Sequence, residues 1–329
     1  MRVLKADEMK NVLPMKEAIQ ADKDALSLYS ADKVNIPLRV NLNVPEQEGQ
    51  SLYMPGYAAE ARALGVKIVS VYPKNIEKGL TSVPATMVLV DTETGQVSSI
   101  MDGTYLTQLR TGAVAGAATD LLAREDSSIF TLVGTGGQAE TQLEAVLAVR
   151  PIKQVYVSDL NMERATEFAE KMTALYGEKY DTTIEAASSL EEAIRQSDIV
   201  TSVTTSPVKT FDGKWVKSGA HINGVGSFTP KMAEIDSIIL QNAGKIYCDT
   251  KDALVESGDF TQPIEKGLFD IENVTGELGD LLNGETAGRE SEEEITFFKT
   301  TGNAVLDIVT AQRIYEAAIE KEIGATLEF

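Results

Sequence analysis

The sequence predicts an α/β protein of two domains: a doubly wound parallel sheet and a discontinuous α+β unit. Three observations predict it. From Ser128 onward, short apolar strands alternate with helical segments, the pattern of βαβ units around a parallel sheet. From Arg39 to Met101 the chain carries short β-branched runs separated by turn residues. The final segment has an apolar helical stripe and is expected to dock back on the N-terminal domain. The expected boundaries are therefore 1–124 with 301–329, and 125–300.

Residues 2–30 open with a strand-like RVLK. Helical spacing follows, with Met15, Ala18, Ile19 and Leu26 on one face and Asp22 interrupting it. RVNLNV, QSLYMPGYA, GVKIVSVYP, ATMVLVD and QVSSIMD read as strands of an antiparallel sheet, with a hairpin loop from Asp91 to Gly95. Thr104 to Ala123 reads as one helix. Gly and Ala crowd its middle, which weakens the helix but lets a neighbouring backbone come close. The REDSS segment at 124–128 reads as the linker. IFTLVG, QVYVSD, TTIEAA, DIVTSVT, HINGVG and KIYCDT are then strands, and QAETQLEAVLAV, MERATEFAEKMTALYG and LEEAIRQS are helices. EEEITFFKTTGNAVLDIVTAQRIYEAAIEKEIG reads as one long helix with Val305, Ile308, Val309, Ala311, Ile314, Tyr315, Ala318 and Ile319 along one stripe. The acidic run Glu290–Glu294 would sit at its start, where carboxylates favour the positive end of the macrodipole.

The 329 residues carry 30 Lys and Arg against 50 Asp and Glu, a net charge of −20. That balance argues against nucleic acid or an anionic membrane as partner. No apolar leader opens the chain, and no run of about 18 apolar residues suits a membrane span. One Cys and one His exclude a zinc cluster, a disulfide framework and most catalytic triads. No metal is expected, and the lone free Cys suits the cytoplasm. His221 and Cys248 both fall in strand segments and read as core.

After IFTLV comes Gly134-Thr-Gly136-Gly137-Gln138-Ala139, a G-x-G-x-x-A pattern between a strand and a helix. This is the dinucleotide signature of a Rossmann-type domain. The first Gly makes the tight turn, and the second lets backbone approach a pyrophosphate seated on the helix N-terminus. The small third residue allows close helix–strand packing. Asp159 stands twenty residues after Ala139, at the end of QVYVSD. An acid there hydrogen-bonds the ribose hydroxyls and repels a 2′-phosphate, which favours NAD(H) and leaves NADP(H) open. Arg164 is nearby, but its helix should carry it away.

Four stretches, in order along nearly the whole chain, resemble the ornithine cyclodeaminase/mu-crystallin family: MDGTYLTQLRTGA, GTGGQA, HINGVGSFTPKMAEID and GRESEEEITFFKTTG. The resemblance implies a homodimer with a Rossmann domain and a discontinuous substrate-binding and dimerisation domain. It implies that Arg39, Lys67 and Arg110 bind an amino-acid carboxylate. The residues suit that role, since Arg holds a carboxylate with a planar fork and Lys67 lies in an apolar strand where a charge needs a partner. Read alone, Arg39 and Arg110 also suit surface charges, and Lys67 an edge-strand side chain reaching for water. The resemblance further implies cofactor contacts at Ser82, Arg110, Thr111, Thr204, Val225, Gly226, Ser227, Thr301 and Gly302, the last two opening the final helix.

Ornithine cyclodeaminase has an acid in the loop after the HIN-type strand, and this sequence has Phe228 there. Phe cannot move a proton or pair with an ammonium, so deaminating cyclisation is disfavoured. The GSFTPKM form is more similar to the branch that reduces small cyclic ketimines such as Δ1-pyrroline-2-carboxylate to an L-amino acid such as proline. In that reading Arg39 and Arg110 clamp the carboxylate, Lys67 holds it and relays the imine proton, and Phe228 walls the ring. The alternatives are an amino-acid (alanine) dehydrogenase, ornithine cyclodeaminase, or a ligand-binding protein in the manner of mu-crystallin.

Overall fold

The computed structural model describes residues 1–328. It divides the chain into two compact units, Met1–Arg110 with Asn303 onward, and Thr111–Gly302.

The first unit is built on a sheet of β1 (Arg2–Leu4), β2 (Val34–Asn35), β3 (Val40–Val44), β4 (Gly49–Ala58), β5 (Ala63–Val71), β6 (Ala85–Val90) and β7 (Val97–Asp102). Its order is the short Ala325–Thr326 strand, then β1, β7, β6, β5, β4 and β2, with β3 also pairing β4. β4 to β7 pair antiparallel as the sequence predicts, and β1 lies parallel to β7. The Asp91 carboxylate accepts the backbone N–H groups of Glu93 and Thr94, and Gly95 takes φ +73°, which fixes the β6–β7 loop. Helix Ala304–Glu320 packs on helix Met15–Ser30 and across β4, β5 and β6, the docking expected from its apolar stripe.

Asp22, which breaks the apolar face of helix Met15–Ser30, is fully buried and accepts a hydrogen bond from Thr310 Oγ1 at 2.8 Å. Burial holds its carboxyl well above the usual range, against the Thr310 bond and the charge of Arg110. A carboxyl raised in the folded state stabilises the fold in acid, and that contribution is lost as pH rises toward the folded pKa. Asp22→Asn removes the titration and keeps the shape. Its unfolding midpoint relative to the unmodified protein should therefore climb as pH rises above about 4, the ordinary carboxyl range. A difference that stays flat with pH would refute this assignment.

The second unit carries β8 (Ile129–Val133), β9 (Gln154–Ser158), β10 (Thr183–Ala186), β11 (Ile199–Ser202), β12 (His221–Gly224), β13 (Ala243–Cys248), β14 (Gly276–Glu277) and β15 (Ile295–Lys299). All pair parallel, in the order β10-β9-β8-β11-β12-β15-β13-β14. The chain steps outward from β8 to β10, then returns to place β11 on the other side of β8. That reversal opens a crevice at the carboxyl ends of β8 and β11, where ligands bind in such sheets.

Three expectations are corrected. The REDSS segment is not a linker. Arg124 Nη2 pairs with Asp198 Oδ1 at 2.8 Å, Asp198 Oδ2 accepts from the backbone N–H of Ser128 and Ile129, and Arg150 donates to the carbonyls of Asp120, Ala123 and Arg124. The back half of helix Gly103–Leu122 is likewise held in the second unit. A Cβ on Gly112 would lie 2.5 Å from the Thr141 carbonyl oxygen, so only glycine permits this contact. The division therefore falls at 110/111 and 302/303, not at 124/125 and 300/301.

The last segment is not one helix either. Ile295–Lys299 is the buried strand β15 between β12 and β13, and the helix begins at Ala304 with the Asn303 side chain accepting the Val305 N–H. Its β-branched and aromatic run suits a strand buried on both faces. Thr301 and Gly302 thus precede the helix instead of opening it. The acidic run leads into a strand, and Glu290 pairs with Lys245.

Candidate functional site

In the first unit a buried carboxylate that sequence reasoning missed organises the expected cations. Lys67 lies on the interior strand β5, flanked across the ladder by Met54 and Met87, and is 2% exposed. Its Nζ is 2.7 Å from Asp307 Oδ2, and Arg110 Nε donates to Asp307 Oδ1 at 2.9 Å. Asp307 is fully buried on helix Ala304–Glu320. Lys67 is therefore not an edge-strand side chain reaching for water, nor is Arg110 a surface charge. Arg39, half-buried just before β3, is close enough that its charge acts on Lys67. Burial pushes the Lys67 ammonium down to about 8, helped by Arg110 and Arg39 and opposed by Asp307.

Two buried cations, Lys67 and Arg110, thus share the single carboxylate of Asp307. Arg110 engages Asp307 through Nε, which leaves its two terminal nitrogens outside that pair. Two buried cations on one carboxylate, one of them a guanidinium with its terminal nitrogens outside the pair, suit a carboxylate ligand. The available signal for Asp307 was an acid set within an apolar helical stripe. Ser82 lies in the turn before β6, where its carbonyl accepts from the Tyr72 N–H, and no hydrogen bond or ion pair among the described residues ties it to this group.

In the second unit the glycine loop follows β8 as the motif requires. Gly134 adopts φ +103°, and a Cβ there would lie 2.8 Å from the Val203 carbonyl oxygen. Around Gly136 a Cβ would meet nothing within 4 Å, so open space lies over the loop where a pyrophosphate would sit. Helix Ala139–Val149 begins directly behind it. Asp159 ends its strand against this loop. Its Oδ2 accepts from the Thr135 N–H and hydroxyl, and its Oδ1 from the Asn161 N–H. Burial pushes its pKa up, but these bonds and the charge of Arg164, which its helix does not carry out of range as the sequence suggests, outweigh it and hold the carboxyl below its ordinary range. The residues present fit a dinucleotide with free ribose hydroxyls.

Thr204, Val225 and Gly226 lie at the carboxyl ends of β11 and β12. Thr111 gives its carbonyl to Gln142 Nε2 at 2.8 Å. The Thr301 hydroxyl is buried without a partner, while the Thr301 and Gly302 N–H groups both donate to Asp249. Ser227 departs from expectation. It is fully buried, its hydroxyl bonds the Met232 carbonyl and Ser257, and its side chain serves the loop rather than a ligand. Phe228, next in the chain, is 46% exposed. His221 is core, hydrogen-bonded to Thr296 and Asn223 and pushed down to about 3 by burial, so it stays neutral. Cys248 is buried, and burial raises its thiol. Among the described residues no cluster of His, Cys, Asp and Glu is arranged for a metal, and no helix is long and apolar enough to cross a membrane.

The chain is 38% identical over 330 residues, the full length of both proteins, to a Delta(1)-pyrroline-2-carboxylate reductase of Bacillus cereus. The solved structure of Thermococcus litoralis Delta(1)-pyrroline-2-carboxylate reductase in complex with NADH and L-proline matches with a TM-score of 0.92 at 39% identity, covering 99% of this chain and 100% of that one. An archaeal alanine dehydrogenase dimer with bound NAD matches with a TM-score of 0.90 at 35% identity, covering 100% and 99%. The profile of the ornithine cyclodeaminase/mu-crystallin family spans residues 1–322, and with these full-length matches the chain belongs to that family.

Proposed function

We propose that this protein is an NAD(H)-dependent ketimine reductase that reduces Δ1-pyrroline-2-carboxylate to L-proline, acting as a homodimer in the cytoplasm. The observation that carries the reading is the buried group in which Lys67 and Arg110 share the one carboxylate of Asp307. The full-length likeness to a reductase solved with NADH and L-proline supports it, and the likeness to an alanine dehydrogenase dimer supports the homodimer.

Bound NADH supplies the hydride. Residues 134–139 would hold its pyrophosphate, Asp159 its ribose hydroxyls, and Thr204, Val225, Gly226, Thr301 and Gly302 its reducing end. Arg39 and the terminal nitrogens of Arg110 grip the substrate carboxylate, which orients the imine carbon. Lys67 Nζ, charged below about pH 8, shares that grip and delivers a proton to the ring nitrogen. Phe228 stands where ornithine cyclodeaminase has an acid and offers no carboxylate for removing an amine, which speaks against cyclodeamination.

The test is loss of reduced-cofactor absorbance with Δ1-pyrroline-2-carboxylate. Absence of turnover with both NADH and NADPH would refute the proposal. The 35% identity to an alanine dehydrogenase favours one second reading, reduction of pyruvate with ammonia, which the same assay separates when run with pyruvate and ammonia in place of the imine. Asp159→Ser removes the acid that disfavours a 2′-phosphate. The ratio of kcat/KM for NADH over NADPH should fall by about tenfold or more, since each 1.4 kcal/mol is a factor of ten. An unchanged ratio would show that Asp159 does not read the ribose.

A further inference from the structure

Another buried carboxylate lies at the heart of the second unit, and the chemistry above makes no use of it. Glu234 is fully buried. Its Oε2 accepts from the Ser202 hydroxyl at 2.8 Å, the Thr204 N–H at 2.7 Å and the Thr204 hydroxyl at 3.0 Å. Its Oε1 accepts from the N–H of Gly226 and, at 3.1 Å, from that of Ser227. One carboxylate therefore gathers donors from the ends of two neighbouring strands, β11 and β12. Backbone N–H groups only donate, so three of the five contacts require an acceptor at Glu234.

The surroundings are built to keep it in place. Asp259 Oδ1 accepts the N–H groups of Glu234 and Ile235 at 2.7 and 2.9 Å, and Lys299 Nζ, fully buried, pairs with Asp259 Oδ2 at 2.8 Å. The loops it ties are in contact with no slack. A Cβ on Gly226 would lie 2.0 Å from the Thr204 carbonyl oxygen, and one on Gly134 would lie 2.9 Å from Thr204 Cγ2. Thr204 is thus wedged between the glycine loop after β8 and the loop after β12, at the crevice where the strand order reverses.

We propose that Glu234 is the positioning residue for the reducing end of the cofactor: it sets the spacing of loops 203–204 and 225–227 and so shapes the seat of the nicotinamide. The inference rests on the NAD(H) reading above. Glu234 does not touch the cofactor, and it acts through the backbone it holds. Its effect falls on the nicotinamide half, because the adenine half is held by residues 134–139 and Asp159.

The experiment compares dissociation constants for NADH and for ADP-ribose, which lacks the nicotinamide, in the unmodified protein, Glu234→Gln and Ser202→Ala. The Gln amide presents N–H groups to donors and should open the seat. Its NADH affinity should fall by about tenfold with ADP-ribose changed less than about twofold, the size of losing one or two charge-assisted bonds. Ser202→Ala withdraws one donor from behind without altering a loop residue, and should shift the same ratio in the same direction by about two- to threefold. Equal weakening of both ligands would make Glu234 a general support of the fold and overturn the proposal, as would an unchanged ratio in both variants. Failure of the unmodified protein to bind NADH would instead sink the NAD(H) reading on which this inference stands. If Glu234→Gln does not fold, Ser202→Ala alone decides.

Discussion

Lys67→Met should lower kcat/KM for Δ1-pyrroline-2-carboxylate by about a thousandfold, within the range of general acid catalysis. Methionine matches the unbranched stem and removes only the ammonium, in a site already flanked by Met54 and Met87. NADH affinity should hold, because the dinucleotide residues belong to the other unit. The pH profile gives the sharper test. Burial brings Lys67 down to about 8. It is charged below that value and loses its proton above, so kcat/KM of the unmodified enzyme should fall on the alkaline side near pH 8. Lys67→Arg cannot lose its charge in this range. Whatever its absolute rate, its profile should lack that limb. A limb that persists in Lys67→Arg would assign the titration to another group and remove Lys67 from the proton path.

How much of this site the sequence reveals depends on how far apart its parts lie. The glycine loop and Asp159 are legible because strand, turn, helix and acid follow one another at fixed spacing. Lys67 is legible as a lone charge in an apolar strand. Asp307 is not, because a helical stripe is read for its apolar residues, and the partners that make sense of this acid sit on β5 and in helix Gly103–Leu122. Glu234 is hidden for the same reason, since its five donors come from two strand ends that only the sheet brings together. Ile295–Lys299 misleads differently. Its acidic approach and the helix after it extend a helical reading across a strand whose burial between β12 and β13 is set by tertiary pairing.

Asp307→Asn should be the most costly single change in the first unit, and its cost should depend on pH. The amide keeps the shape but leaves Lys67 and Arg110 as buried cations without their shared counter-ion. Breaking a buried pair in this way costs about 3–5 kcal/mol. Part of that cost is relieved when Lys67 releases its proton, because the Asp307 charge is what raises its pKa against burial. In the variant the ammonium should therefore titrate below about 8. A lysine depressed in the folded state makes stability rise with pH between its folded and unfolded pKa. The variant enters that window earlier than the unmodified protein. Its deficit in unfolding midpoint should narrow as pH rises toward about 8 and then stay constant, by about 1.4 kcal/mol for each unit of displacement. The alkaline limb of kcat/KM should move down by the same displacement, and activity at neutral pH should fall by about a hundredfold as both carboxylate grip and proton donor are lost. The coincidence of the two shifts is the test. A purely structural defect would lower the midpoint and leave the limb near pH 8, whereas an Asp307 that sets the charge of Lys67 must move both together.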